Sequence, residues 1–284
     1  MQGSDTSATP GAQAETDDIG ARIASALVLG PAAVAAAVAG GPWIAGAAGA
    51  AVVAMTYEWA RMSEPRALAT AFAFALTGAL GAVMLASRGL PGWAVIWLGL
   101  VAMASAARRK GWRGALETGG GVLYVGVPCI ALLWLRGDEA WGLRGVLALF
   151  AVIWSADTFA YFGGRFLGGP KLMPEISPHK TWAGLLAGSA AGSAAGALCA
   201  SWFDAPLLLW LGVGMVLAAI GLGGDLFESA LKRRFGVKDA SRLIPGHGGV
   251  LDRVDGLMAA VSALALLEIF APAAAGNLFP SGGP

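Results

Sequence analysis

The chain has 284 residues, of which 57% are hydrophobic and 13% are charged, and its formal net charge at pH 7 is +1. The length permits a large soluble domain, but the placement of the apolar residues excludes one. Nearly uncharged runs of roughly 17–22 residues recur along the chain, and each is long enough to cross a hydrocarbon core of about 30 Å as a helix. The sequence contains no P-loop, dinucleotide fingerprint or zinc-ligand spacing, and we expect no nucleic-acid partner.

Residues 1–20 form a polar segment whose only charges are acidic, and we expect it to be disordered. A single transmembrane domain is predicted over residues 21–272, followed by a short tail at 273–284. The domain is predicted to contain nine spans, at residues 23–39, 43–59, 67–87, 91–107, 119–135, 144–162, 182–203, 206–223 and 254–271. Because the runs are continuously apolar and do not alternate, the predicted fold class is an all-α, polytopic integral membrane protein. Gly40-Gly41-Pro42 leaves open whether the first two runs are separate spans or one interrupted hairpin.

The basic residues lie asymmetrically around these spans. With nine spans, 16 of the 19 Lys and Arg residues fall on one side, and only Arg88, Arg136 and Arg144 fall on the other. The positive-inside rule makes the majority side cytoplasmic. We therefore predict an inner (plasma) membrane protein whose amino terminus faces the cytoplasm, together with two functional loops at about 163–181 and 224–253.

Two further patterns lie within the apolar runs. Glycine recurs every four residues from Gly184 to Gly196, which predicts a groove for close helix packing within the chain or across a homodimer. Cys129 and Cys199 both lie inside spans and are predicted to be buried thiols with no disulfide or metal role. Glu58 ends the second span and is interpreted as an interfacial acid.

The first long connection follows an acid that lies inside a span. Asp157 is near the predicted cytoplasmic end of the run 144–162, where an acid costs about 2.5–3.5 kcal/mol unless it is paired or hydrated. The connection then supplies candidate phosphate-binding residues: Ser177, Lys180 and Thr181. Arg165 and Lys171 add positive charge, although interfacial anchoring explains them equally well, and Asp157 could simply reach the membrane interface.

The second long connection contains the densest group of charges. Four residues share one face of a predicted helix, at spacing i, i+3, i+4 and i+7: Asp225, Glu228, Ser229 and Lys232. Together with Asp252 and Asp255, at the start of the last span, Asp225 could surround a hard cation such as Mg²⁺, which prefers oxygen ligands. The amino-terminal end of that span would offer unpaired N–H groups to an anion. A purely structural alternative is that the two later aspartates cap the helix and that the basic residues follow the positive-inside rule.

Both connections resemble the phosphatidate cytidylyltransferase family, also called CDP-diacylglycerol synthases. The resemblance covers the carboxy-terminal half closely and the rest through its topology. Its first part comprises Asp157, Ala160 and Tyr161, followed by Ser177, Pro178, Lys180 and Thr181. Its second part comprises Ser229, Lys232-Arg233, Lys238-Asp239, Pro245, His247-Gly248-Gly249, Asp252-Arg253 and Asp255. The family most often has lysine where His179 stands, which weakens any role for that position.

The resemblance implies an enzyme that joins CTP to phosphatidic acid and yields CDP-diacylglycerol and pyrophosphate, with its catalytic half at about 150–256. It also implies dependence on Mg²⁺, a second ion such as K⁺, and membrane lipids as partners. We expect Asp225, Asp252 and Asp255 to hold the metal and, with Lys232, to be catalytic. The remaining candidates are expected to bind substrate: Asp157, Ser177, Lys180, Thr181, Ser229, Arg233, Lys238, Asp239, His247, Gly248, Gly249 and Arg253.

Three other classes compete with this interpretation. Membrane enzymes that use CTP on another lipid, such as polyprenol or phytol kinases and archaeal-type CDP-lipid synthases, are disfavoured by the full match from Ser229 to Asp255. A transporter should place polar groups near the membrane midplane and show internal repeats, and neither is evident. The CDP-alcohol phosphotransferases use a longer aspartate pattern that Asp252-Arg253-Val254-Asp255 does not fit.

Overall fold

The computed structural model describes residues 27–138, 142–203, 205–241, 243–244 and 248–278. The predicted tail at 1–20 and the candidate His247 lie outside these residues. The described part contains ten α-helices: α1 Leu27–Ala39, α2 Gly41–Ser63, α3 Leu68–Ser87, α4 Pro91–Ala107, α5 Trp112–Gly137, α6 Gly142–Phe166, α7 Trp182–Phe203, α8 Leu207–Arg234, α9 Leu251–Phe270 and α10 Pro272–Gly276. A short 3₁₀ helix, Pro65–Ala67, precedes α3.

Each of the nine predicted runs overlaps one of the helices α1–α9. Five helices are long and apolar enough to cross a membrane by length and composition: Pro65–Ser87, Trp112–Gly137, Gly142–Phe166, Trp182–Trp202 and Leu207–Arg234. Helix α9 is not among them, and its 20 residues include Asp252, Arg253, Asp255 and Glu268. The chain is therefore a mainly α-helical, multi-pass membrane protein, and the crossing of all nine helices stays a prediction.

The predicted helix break at Gly40 is confirmed, since Gly40 has φ of 65° between α1 and α2. At the other end of the domain, residues after 271 are partly folded. Trp210 Nε1 donates a 2.8 Å hydrogen bond to the carbonyl of Leu278, which is buried.

Helices α5 and α9 join the two halves of the bundle. Both contribute buried residues to a hydrophobic cluster with α2–α4 and to a second cluster with α6–α8. Cys129 and Cys199 are free and buried, as predicted. Because α9 belongs to both clusters, its first turn is held firmly where the candidate site residues begin.

The glycine face of α7 packs against helices of the same chain. A Cβ atom on Gly184 or Gly188 would lie 2.8 Å from a backbone carbonyl of α6, and one on Gly192 would lie 3.0 Å from the Gly214 carbonyl of α8. Only hydrogen at these positions allows the backbones to approach so closely. The groove is therefore filled within the chain and carries no argument for a homodimer.

The two connections differ from their predicted form. Instead of an irregular loop, the first contains an antiparallel hairpin of β1 Lys171–Met173 and β2 Ser177–Thr181, so the fold is not purely α-helical. Pro178 disfavours helix at the residue before it and so favours extended backbone there. The second connection is shorter than predicted because α8 continues to Arg234, where Gly236, with φ of 73°, follows its end.

Candidate active site

One end of α6, α7, α8 and α9 and the hairpin surround a polar cavity of about 550 Å³. The carboxy-terminal ends of α6 and α8 meet the amino-terminal ends of α7 and α9 there. Four carboxylates and four Lys or Arg side chains line it, together with His179: Asp157, Asp225, Asp252, Asp255, Arg165, Lys171, Lys180 and Arg253. Because these charges balance, a polyphosphate that entered the cavity would bring a net negative charge.

Close contact between α8 and α9 sets the spacing of the aspartates. A Cβ atom on Gly224 would lie 2.7 Å from the Asp255 carbonyl, and one on Gly256 would lie 3.2 Å from the Gly221 carbonyl. Glycine at these positions lets the two backbones approach, and the next residue of α8, Asp225, thereby faces the same cavity as Asp255. Two carboxylates from different helices thus reach one space.

Asp225 is a partly exposed carboxylate that forms an ion pair. Its Oδ2 lies 2.5 Å from Lys180 Nζ, and its Oδ1 accepts a 3.4 Å hydrogen bond from the Ser229 hydroxyl. The side chain is 41% exposed, so it remains open to a ligand in the cavity. Asp157 lies within electrostatic range of Asp225, Lys180 and Arg253.

Asp252 has a different environment, since both of its oxygens are engaged by the chain itself. Oδ1 lies 2.5 Å from Lys232 Nζ, and Oδ2 accepts hydrogen bonds from the N–H groups of Gly249 at 2.7 Å and Ala240 at 3.2 Å. Burial acts to raise the pKa of this carboxyl, but the Lys232 ammonium and the Gly249 N–H outweigh it, so the pKa lies below its usual range. The carboxylate is therefore ionised and holds the segment before α9.

Lys232 is part of the same buried ion-pair group. Its ammonium also lies 3.3 Å from Glu228 Oε2, and the side chains of Glu228, Asp252 and Lys232 are 2%, 8% and 12% exposed. Lys232 does not line the cavity. Its predicted catalytic role therefore lacks direct access to the cavity, and the contacts assign it to charge compensation.

Three N–H groups before and at the start of α9 already have acceptors within the chain, which argues against the prediction that they would bind an anion. Gly249 N–H donates to Asp252, and the N–H groups of Val250 and Leu251 donate to the two oxygens of Glu58 at 2.8 Å each. Glu58 is fully buried, and its interpretation as an interfacial acid did not include these contacts. No local pattern indicates this contact, because Glu58 and Leu251 are separated by 193 residues.

Asp255 connects the polar cavity with a second, mainly apolar groove of about 630 Å³. The groove lies between α5, α8 and α9, and its lining includes Leu123, Val127, Phe227 and Met258. Asp255 Oδ1 accepts a 2.8 Å hydrogen bond from the Gly256 N–H. One carboxylate therefore borders both a charged space and an apolar one.

The predicted three-aspartate metal site is not assembled. Within the described residues, no group of three His, Cys, Asp or Glu side chains is arranged to hold a metal ion. Asp252 binds Lys232 and backbone N–H groups through both of its oxygens, whereas the other carboxylates that line the cavity are Asp157, Asp225 and Asp255. Of these, Asp225 and Asp255 are brought together by the close contact of α8 and α9. Two carboxylates fit Mg²⁺ well, because it is commonly held by one or two of them together with substrate phosphates.

The structure separates the remaining substrate-binding candidates into two groups. Those that line the cavity are Asp157, Lys180, Thr181 and Arg253, and those that do not are Ser177, Ser229, Arg233, Lys238, Asp239, Gly248 and Gly249. Thr181 is buried, and its Oγ1 accepts a 3.0 Å hydrogen bond from the Gly184 N–H at the start of α7. Arg233 donates to the Ile176 carbonyl at 3.3 Å and so fastens the hairpin to α8.

Comparison with known proteins identifies the family. Residues 20–270 match the sequence model of the cytidylyltransferase family. A phosphatidate cytidylyltransferase of Brucella abortus biovar 1 (strain 9-941) is 41% identical over 226 residues, which cover 77% of this chain and 82% of the relative. A phosphatidate cytidylyltransferase of Staphylococcus haemolyticus (strain JCSC1435) is 41% identical over 150 residues, 52% of this chain and 56% of the relative. The chain therefore belongs to the cytidylyltransferase family.

Proposed function

We propose that the chain is a phosphatidate cytidylyltransferase, which converts CTP and phosphatidic acid into CDP-diacylglycerol and pyrophosphate. The family and the names of the relatives support this reaction. The observation that carries the proposal is the position of Asp255 between a charged cavity and an apolar groove. A reaction between a soluble nucleotide and a lipid needs two such spaces to meet.

The reaction forms one P–O bond and breaks another. An oxygen of the lipid phosphate attacks the α-phosphorus of CTP, and the bond from that phosphorus to the bridging oxygen breaks, so that pyrophosphate leaves with the electron pair. The attacking phosphate already carries much of its second charge, since its second pKa is about 6. A strong general base is therefore unnecessary, and the chemistry depends on charge neutralisation and alignment.

The basic residues of the cavity supply part of that neutralisation. Lys180 and Arg253 belong to different elements and border the same space as the aspartates. Lys180 is paired with Asp225 in the structure, and a phosphate oxygen would compete for the same ammonium. Arg165 and Lys171 add positive charge from the end of α6 and from the hairpin.

We assign the divalent cation to Asp225 and Asp255, with Mg²⁺ as the ion. When bound, such an ion offsets the charge that phosphates bring to a cavity whose own charges balance. Asp225 presents an exposed carboxylate, whereas Asp252 keeps the segment before α9 in place. These two metal ligands differ from the three aspartates expected from the sequence, because Asp252 is no longer among them.

The apolar groove gives the lipid a path from the bilayer. Its lining is mainly apolar side chains of α5, α8 and α9, and the Tyr124 hydroxyl is buried there with no hydrogen-bond partner among the residues that the structure describes. We propose that the diacylglycerol part lies in this groove and that its phosphate points towards Asp255. The lipid then reaches the cavity laterally, while CTP enters from the cytoplasm through the end that contains most of the basic residues.

The test is transfer of label from CTP to lipid by the purified protein with phosphatidic acid and Mg²⁺. We expect label from [α-³²P]CTP in the lipid and label from [γ-³²P]CTP in pyrophosphate. Transfer of the γ-label to lipid would instead identify a CTP-dependent lipid kinase. Transfer of neither label by folded protein would overturn the proposal.

A further inference from the structure

We propose that Glu58 is a positioning residue for the active site, although it belongs to α2 and does not line the cavity. In this proposal Glu58 holds the α8–α9 connection so that the first turn of α9 presents Asp252, Arg253 and Asp255 correctly. The catalytic part of the inference rests on the proposed function. Its structural part does not, since it concerns only which groups the carboxylate holds.

Three donors from the connection converge on the Glu58 carboxylate. Ser241 Oγ donates to Oε1 at 2.6 Å, Val250 N–H donates to the same oxygen at 2.8 Å, and Leu251 N–H donates to Oε2 at 2.8 Å. Both oxygens are therefore used, and the negative charge lies at the amino-terminal end of α9, where the helix dipole stabilises it. Such an arrangement compensates a buried charge, which is otherwise highly unfavourable.

The surrounding residues are shaped to this carboxylate. A Cβ atom on Gly249 would lie only 2.7 Å from Glu58 Oε1, so the glycine allows the carboxylate to approach the turn. Ser241 is buried, and its Oγ also accepts a 3.1 Å hydrogen bond from the Leu243 N–H. One side chain of α2 thus organises the connection at two places, residues 241–243 and residues 249–251.

The neighbouring Trp59 fixes α2 against the same region. Its ring contacts Phe235, the residue after α8, edge to face at 5.7 Å, and also packs against Tyr124. Its Nε1 donates a 3.0 Å hydrogen bond to the Glu117 carbonyl. Glu58 is therefore held on a rigid helix end and can act as a fixed anchor for a connection that has little regular structure.

The effect reaches the cavity through Asp252. Gly249 N–H and Ala240 N–H bind Asp252 Oδ2, while the next two N–H groups along the chain bind Glu58. The two carboxylates divide the donors at the start of α9 between them, so loss of one changes the position of the turn. Asp252, Arg253 and Asp255 follow directly and line the cavity.

The decisive experiment compares Glu58→Gln with Glu64→Gln, in the purified protein with CTP, phosphatidic acid and Mg²⁺. Glu64 is a matched control because it follows the same helix, is 4% exposed, and pairs with Arg108 and Arg109 away from the cavity. Glutamine at position 58 replaces one of the two accepting oxygens with an NH₂ group. That group donates and would face a backbone N–H that also donates. We expect Glu58→Gln to lower kcat about 10–100-fold, as displacement of reacting groups does, with KM for phosphatidic acid unchanged within about twofold.

A purely structural role predicts a different pattern. Both variants would then lose activity only in proportion to the folded fraction, which can be measured by protection of the buried thiols Cys129 and Cys199. A double-mutant cycle with Ser241 further separates a positioning role of Glu58 from a purely structural one. Ser241→Ala should lower kcat in the wild-type background and have no further effect in Glu58→Gln, and an equal effect in both backgrounds would overturn the proposal.

Amide hydrogen exchange provides a readout that does not depend on the reaction. Exchange at Val250 and Leu251 should be about tenfold faster or more in Glu58→Gln than in Glu64→Gln, because these N–H groups lose their acceptor. If the wild-type protein transferred no cytidylyl group, the proposed function would fail while this result would still hold. Equal exchange in the two variants would refute the role of Glu58 itself.

Discussion

Lys232 should be the most important single charge for the stability of the site region. Its ammonium compensates Asp252 at 2.5 Å and Glu228 at 3.3 Å, and the side chains of all three are at most 12% exposed. Replacement by methionine keeps the unbranched apolar part of the side chain but leaves two buried carboxylates without their cation. Removal of one partner from a buried pair costs about 3–5 kcal/mol, whereas an exposed pair contributes about 0–1 kcal/mol.

The measurement is the unfolding temperature of Lys232→Met in detergent, read by a thiol-reactive dye on the buried thiols Cys129 and Cys199. A loss of about 3–5 kcal/mol corresponds to a decrease of roughly 6–20 °C for a domain of this size. Arg234→Met is the matched control, since Arg234 lies at the same end of α8 as Lys232. It forms a 3.0 Å ion pair with Glu117, but its side chain is 47% exposed. It should lower the unfolding temperature by no more than about 4 °C.

A second substitution tests whether the uncompensated carboxylates cause the loss of stability. Adding Glu228→Gln to Lys232→Met removes one of the stranded charges and should recover part of the lost stability, with a coupling of about 0.5–3 kcal/mol. Effects that add within about 0.5 kcal/mol, or a Lys232→Met protein as stable as Arg234→Met, would refute the assignment of Lys232 to charge compensation.

Three further predictions concern packing, lipid binding and topology. Gly192→Val should unfold at a lower temperature than Gly212→Val, because a Cβ atom on Gly192 would lie 2.7 Å from the Ala218 Cβ, whereas the described residues place nothing within 4 Å of one on Gly212. Equal unfolding temperatures of the two variants would contradict the packing of α7 on α8. Val127→Trp narrows the apolar groove and should raise KM for phosphatidic acid severalfold without changing KM for CTP, and an equal rise in both would contradict the lipid path. In intact cells, a membrane-impermeant thiol reagent should label Arg88→Cys but label Lys110→Cys only after permeabilisation, and the reverse pattern would invert the predicted orientation.

The sequence predicted the parts of the fold that depend on local composition. Continuous apolar runs marked the helices, the break at Gly40 was visible, and the glycine spacing from Gly184 to Gly196 correctly predicted close helix packing. The face that contains Asp225 and Lys232 followed from helical spacing alone. These features could be recognised because each is encoded within a few turns of one element.

Contacts between distant segments could not be predicted in the same way. Glu58 holds donors that are 183 to 193 residues away, and no periodic pattern links such positions. The contact between Asp252 and Lys232 was missed for the same reason, since the spacing of Asp252 to Asp255 indicates a shared helix face but not that Lys232 lies 2.5 Å from one of its oxygens. The hairpin was missed because its strands have only three and five residues, too few to show alternation.

We propose that cytidylyl transfer takes place in the cavity where Asp225 and Asp255 meet. The measurement is the rate at which the Asp225→Asn protein transfers label from [α-³²P]CTP to phosphatidic acid. Glu117→Gln is the control, because the Glu117 side chain is 22% exposed and does not line the cavity. Loss of a carboxylate that would hold the proposed metal ion near the phosphates should remove about 3 kcal/mol of transition-state stabilisation, or roughly 100-fold in rate. We expect that loss for Asp225→Asn with normal folding, and near-normal transfer by Glu117→Gln. Wild-type rates from folded Asp225→Asn protein would contradict the proposal.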